Sequence, residues 1–195
     1  MRKLVIFLAC VIFFSNSLAF EYSSDPKDFV GELVNEAISK LADKNLTEEE
    51  KKNFVEKVAL ENVDINALSL YTLGELRKSS SKEEINRYKK AFETYFLKTL
   101  SSRLNDYSSS KFEVLGADKK STNYTIVNSR VSPIDGGIEI KIDWRIYTKN
   151  PEKPLIRDLI VEGLSLARTQ KEEFASILNS NNNDLEFLIN KLKEF

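Results

Sequence analysis

Residues 137–147 read Gly-Ile-Glu-Ile-Lys-Ile-Asp-Trp-Arg-Ile-Tyr. Ile138, Ile140, Ile142, Trp144 and Ile146 alternate with Glu139, Lys141, Asp143, Arg145 and Tyr147. A period of two places them on opposite faces of one β-strand. The apolar face is unusually bulky and needs a cover.

The flanking residues predict the rest of the sheet. Pro133-Ile134-Asp135-Gly136-Gly137 suits a hairpin turn. A strand over Tyr124 to Val131 precedes it, and a short one over Phe112 to Leu115 comes before that. After a turn at Asn150 to Pro154, Leu155 to Glu162 reads as a fourth strand. The short connections predict an antiparallel meander.

Helical spacing takes over on both sides. Asp25-Pro26 starts a helix carrying Phe29, Leu33, Ala37 and Leu41. Thr47 and Glu50 form a capping box before Phe54, Val55, Val58 and Ala59. A short helix spans Asp64 to Leu73 and ends at Gly74. Ser81 and Glu84 form a second box, opening a long helix over Lys82 to Tyr107. Its apolar stripe is Ile85, Tyr88, Phe92, Phe96, Leu100 and Leu104. Beyond the sheet, Leu164 to Leu178 and an Asp184-capped segment with Leu185, Leu188, Ile189 and Leu192 read as helices. The expected fold class is α+β: a four-stranded antiparallel sheet with helices packed on one face.

The first nineteen residues stand apart. Arg2 and Lys3 precede an apolar run, Leu4 to Phe14, and Ser17-Leu18-Ala19 supplies the small residues of a cleavage site. Residues 1–19 therefore read as a signal peptide, and 20–195 as a single exported domain. Cleavage removes Cys10 and Met1, the only cysteine and methionine, and there is no histidine. The remaining domain has no thiol, disulfide or imidazole. That excludes most zinc, copper and haem sites, and Ser-His and Cys-His catalysis. The full chain carries 29 basic and 30 acidic residues, net −1; without Arg2 and Lys3, 27 basic residues face 30 acidic, net −3. No basic field points to nucleic acid.

Catalytic motifs are missing. Only six glycines occur, and none forms a phosphate loop with a lysine. Asp143 and Glu162 read as a solvated face or an ion pair. What remains is apolar bulk: nine phenylalanines, seven tyrosines and Trp144 after cleavage. Periodicity does not distinguish a filled core from one with a cavity.

Two segments carry a resemblance. The first is Asp64-Ile-Asn-Ala-Leu-Ser-Leu-Tyr-Thr-Leu73-Gly74, with the aromatic-spaced helix from Arg87-Tyr88 through Phe92 and Phe96 to Leu100. The second is Ile160-Val161-Glu162-Gly163-Leu164-Ser165-Leu166, then Phe174 to Leu178, then Leu185, Leu188 and Leu192. In order and spacing they resemble the MlaC family of periplasmic phospholipid carriers. Two departures stand out. Pro154 and Arg157 occupy positions where the family carries Trp and Tyr, and Gln170-Lys171 replaces its Tyr-Arg.

The resemblance implies a hydrophobic cavity between sheet and helices that holds acyl chains, with the head group outside. Ile140, Ile142, Trp144 and Ile146 would form one wall, and Tyr88, Phe92, Phe96 and Leu100 the facing wall. Val161 and Leu164 would close the side, with Leu70, Tyr71 and Leu73 near the mouth. Arg87, Lys89 and Lys90 would touch head groups or partner acids. The implied protein is a monomeric periplasmic shuttle without cofactor or enzymatic activity. It would exchange phospholipid with an inner-membrane ABC transporter complex and an outer-membrane lipoprotein complex. The residues alone leave two other readings open: a periplasmic protein-binding module or chaperone with a solid core, and a hydrolase using Asp and Glu.

Overall fold

The computed structural model describes residues 22–104, 110–134 and 136–195. The expected signal segment 1–19, Phe20 and Tyr107 lie outside the described residues, as does the side chain of Leu104. The helices preceding the sheet are α1 (Pro26–Ala42), α2 (Glu48–Asn62), α3 (Ile65–Thr72) and α4 (Lys82–Leu104), with a 3₁₀ turn at Gly74–Lys78. Five strands follow: β1 (Ser110–Ser121), β2 (Tyr124–Pro133), β3 (Ile140–Tyr147), β4 (Leu155–Val161) and β5 (Leu164–Ser165). Helices α5 (Leu166–Asn179) and α6 (Leu185–Lys193) end the chain.

The helix starts are written in local chemistry. Asp25 accepts from the amides of Lys27 and Asp28, and Asp184 from those of Glu186 and Phe187. Thr47 and Glu50 form a reciprocal capping box. Ser81 and Glu84 exchange the same pair of bonds, at 2.8 and 3.2 Å. Each satisfies amides that the first turn leaves without an intrahelical partner. Gly74 adopts φ +63° just past α3, where a side chain would be strained.

The sheet is antiparallel throughout, in the order β1-β2-β3-β4-β5. It has five strands where four were expected. The fifth has two residues, reached through a tight turn with φ +48° at Glu162 and +83° at Gly163. A strand that short has no periodicity to read, so the sequence alone groups Leu164 with the following helix. Strand β1 also runs past the expected Leu115, to Ser121. Its second half, Gly-Ala-Asp-Lys-Lys-Ser, lacks alternation but pairs with β2 at every residue except Lys120, where the register shifts.

The apolar side chains divide into two cores. A sheet core joins Phe29, Val30 and Leu33 of α1 and Val58 of α2 to Val127, Trp144, Ile146 and Ile156. A helical core joins Leu73, Tyr88, Phe92, Phe174, Leu188 and Ile189 with their neighbours. Partly buried Val63 packs against both. Its strand-like pairing with Ile156, followed by the Asp64 amide bond to the Ile156 carbonyl (2.9 Å), ties α3 to the sheet.

Tyr88 is the deepest aromatic of the helical core. It is fully buried, meets Phe174 edge-on, and shares a 2.8 Å hydrogen bond with Thr72 Oγ1. Burial pushes its phenol well above the ordinary tyrosine value. Burial also raises Tyr95, and Tyr22 together with its bond to Glu36. A raised folded pKa means stability that is present below the unfolded value, about 10, and lost as pH rises above it. Urea midpoints should therefore fall between pH 9 and 11, as the unfolded tyrosines ionise. Tyr88→Phe should start about 1 kcal/mol less stable at pH 8 and lose less over that interval. An equally steep loss in Tyr88→Phe would assign the alkaline sensitivity to other groups.

Candidate functional site

The register builds the inner sheet face row by row. Ile146 lies beside Thr125 and Ile156, and Trp144 beside Val127 and Leu159. Ile142 lies beside Ser129 and Val161, and Leu164 continues that row on β5. Ile140 pairs with Val131, which pairs with Phe112. Two buried polar residues, Thr125 and Ser129, interrupt these rows. Ser129 accepts from the Trp144 indole at 2.8 Å and donates to the Ile142 carbonyl at 2.9 Å, so neither its hydroxyl nor the indole is left unpaired.

A bulge in β4 keeps the rows apolar. Ile146 pairs with Ile156, but Arg145 pairs with Asp158, so Arg157 is the extra residue. Without it, Asp158 would share the inner face with Ile156. With it, Leu159 and Val161 take the inner positions. Asp158 sits on the opposite face, buried beneath the start of α5. There it accepts from the Ser165 hydroxyl (2.6 Å) and the Ala167 amide (3.0 Å), with Arg145 at 3.5 Å.

Arg157 is put to use by the bulge. It pairs with Asp64 at 2.7 Å, donates to Tyr124 Oη at 2.8 Å, and lies 3.4 Å over the Tyr147 ring. Asp64 also caps α3. The start of the helical core is thereby fastened to the sheet.

Burial along these rows is graded. On β3, exposure rises from 0% at Ile146 and 8% at Trp144, through half-buried Ile142 and Ile140, to 86% at Ile138. On β4 and β5 it rises from buried Ile156, through half-buried Leu159 and Val161, to 69% at Leu164. Helix α4 shows the same trend: Tyr88 and Phe92 are buried, Phe96 and Leu100 half-buried. The open ends of α4 and the sheet are joined by a short connection. Helix α4 ends at Leu104, and Ser110, which pairs with Pro133, begins the sheet. Six residue steps span at most about 20 Å. The site is thus a set of half-buried apolar side chains: Phe96 and Leu100 on α4, and Ile140, Ile142, Leu159 and Val161 on the sheet.

This sorts the expected wall residues. Tyr88 and Phe92 do not face Trp144 and Ile146 across an open space, since each pair fills its own core. Phe174 stacks edge-on to Tyr88 and Phe92 at ring separations of 6.5 and 6.3 Å, while α1 covers Trp144 and Ile146. Leu73 is 2% exposed and belongs to the helical core, not to a mouth. Leu70 is half-buried and Tyr71 exposed, on the side of α3 where Lys171 lies 5.2 Å from the Tyr71 ring. Leu164 does not close the side: the turn at Glu162-Gly163 leaves it exposed. Arg87 pairs with Glu186 and Glu83, so its charge is already engaged. Leu159 was missed because the bulge hides its face from strict alternation.

Two concave regions lie beside these elements. One, about 290 Å³, is lined by Leu41 and Val55 with Glu48, Lys51, Lys52, Lys98, Ser101 and Ser102. The other, about 690 Å³, is on the outer sheet face and includes Tyr124, Ile126, Asn128, Asp143, Arg145 and Ile160. There Asp143 accepts from the Asn128 side-chain amide at 2.8 Å. Glu162 accepts from the Lys141 backbone amide. Both carboxylates are thus held by structural bonds. Among the described residues no group of three or more His, Cys, Asp or Glu could hold a metal ion.

The profile described as "MlaC protein" matches residues 31–194. The chain belongs to the MlaC family. A solved structure with the same fold is the phospholipid-binding protein from Ralstonia solanacearum, determined in complex with a phospholipid. It is 18% identical, with a TM-score of 0.69, covering 85% of this chain and 93% of that one. No curated protein matches this chain. The match to the MlaC profile spans α2 to α6 and all five strands, and so includes every residue of the half-buried set. No helix among the described residues is long and apolar enough to cross a membrane.

Proposed function

We propose that this MlaC-family chain is a periplasmic phospholipid carrier. Residues 1–19 direct export and are removed, and residues 20–195 form the lipid-binding domain. The acyl chains lie between α4 and the inner sheet face, against Phe96, Leu100, Ile140, Ile142, Leu159 and Val161. The observation that carries this reading is the graded burial of those side chains in a fold shared with a phospholipid-binding protein.

Energetics make the carrier dependent on partners. Each buried methylene contributes about 0.8 kcal/mol, so two acyl chains of roughly fifteen carbons represent on the order of 20 kcal/mol gross. Ordering and cavity terms reduce that figure, but release into water remains far too slow for a shuttle. Loading and unloading therefore occur against an apolar acceptor. We assign that role to an outer-membrane lipoprotein complex and an inner-membrane ABC transporter complex. The carrier acts as a monomer, without cofactor or chemical turnover.

The test is direct. The mature domain is purified from bacterial periplasm without detergent, extracted with organic solvent, and the extract analysed by mass spectrometry. A near-stoichiometric phospholipid load is expected. A cooperatively folded protein that yields no lipid would return the half-buried set to ordinary packing and favour a protein-binding module.

A further inference from the structure

We propose that one corner of the sheet docks directly on an anionic phospholipid bilayer, with Ile134 and Ile138 as shallow apolar anchors and Leu164 beside them. This rests on the carrier reading and names the surface through which the carrier meets a membrane. Register places Ile134 and Ile138 at one end of the sheet, with Leu164 two strands across on the row of Ile142. Ile134 directly follows β2, and Ile138 lies two residues before Ile140, which pairs with Val131. Leu164 pairs with Val161, itself opposite Ile142, and the Glu162 amide bonds the Lys141 carbonyl at 3.0 Å. All three therefore sit at the end of the sheet where β3 begins.

Their exposure is extreme for aliphatic side chains: 69% at Ile134, 86% at Ile138 and 69% at Leu164. Exposed aliphatics rimmed by polar residues mark interaction surfaces. Here they stand on tight turns, with φ +83° at Gly136 and Gly163. Separate apolar tips among charges suit insertion between head groups better than a flat protein interface with a continuous apolar centre.

The charges at this corner point to an anionic membrane. Its described acids are already engaged: Glu113 and Glu139 pair with Arg130 at 2.7 and 3.4 Å, and Glu162 holds the Lys141 amide. Lys111, Lys141 and Arg168 have no carboxylate partner among the described residues. Among the described residues the corner thus offers phosphate groups cations not paired to a carboxylate, although the mature domain carries −3. The corner is also continuous with the site. Leu164 shares an inner-face row with Val161 and Ile142, so an acyl chain leaving a bilayer here would meet apolar side chains all the way inward.

The experiment is flotation of the purified, lipid-loaded protein with vesicles of phosphatidylglycerol and phosphatidylethanolamine. Wild type, Ile138→Asp and Ile134→Asp are compared, and the co-purified lipid of each is measured in parallel. Each substitution should weaken vesicle binding by ~10-fold or more while the lipid load stays at the wild-type value. Ile138→Trp should add a blue-shifted emission that brominated lipid quenches. Wild type that fails to float, or variants that float as well as wild type, would overturn the proposal. So would a photoreactive side chain at position 138 that crosslinks only to membrane protein; the corner would then be a protein interface. Vesicle binding that depends on Ile138 in a protein carrying no lipid would support the docking corner and remove the carrier reading.

Discussion

Ile142→Glu should abolish the phospholipid load while leaving the protein folded. Ile142 is half-buried on the inner sheet face between Ser129 and Val161, toward the open end of the row. A glutamate there can turn its carboxylate to water, so folding should cost only about 1–2 kcal/mol. An acyl chain packed against that carboxylate would have to desolvate it, at several kcal/mol, and affinity should fall at least a hundredfold. Mass spectrometry of the solvent extract, with a thermal melt of the same sample, reads both quantities. Ile146→Glu is the contrasting control. Ile146 is fully buried against α1, and the same charge there should prevent cooperative folding. A normal load in folded Ile142→Glu protein would move the acyl chains away from β3.

Asp158→Ala should be the most destabilising single truncation on the outer sheet face. The Asp158 side chain is 1% exposed and satisfies both the Ser165 hydroxyl and the Ala167 amide, fastening the first turn of α5 to β4. Removing it strands two donors under the helix and deletes a carboxylate from a helix N-terminus. Arg145 is 44% exposed and keeps its water, so the loss of that ion pair adds little. The expected cost is about 2–4 kcal/mol, or a fall in Tm of roughly 5–12 °C for a domain of this size. Asp158→Asn keeps one acceptor and should lose about half as much. An unchanged Tm in Asp158→Ala would mean that α5 is held by Phe174 and Leu178 alone.

The two substitutions sit differently with respect to what the sequence reveals. Ile142 could be chosen from alternation alone, because a period of two assigns a face without any knowledge of the fold. Asp158 could not. Strict alternation from Ile156 would put it inward, and only the bulge at Arg157 turns it outward and under α5. A bulge adds one residue without changing composition, so it leaves no mark in hydropathy. The family resemblance carried the right architecture. Arg157 contacts Asp64, Tyr124 and Tyr147, none of which a period of two reveals.

By itself the sequence determined the elements and their faces: the capping boxes at Thr47 and Ser81, the long stripe on α4, and the greasy side of β3. Those features depend on bonds and contacts within a few residues of each other. Tertiary structure alone decided which apolar residues are covered. The same stripe holds Phe92, sealed in a core, and Phe96, half open. The same strand holds Ile146 at 0% exposure and Ile138 at 86%. Periodicity assigns a side chain to a face, but coverage depends on where distant helices begin and end, and that is settled only when the sheet and helical cores pack.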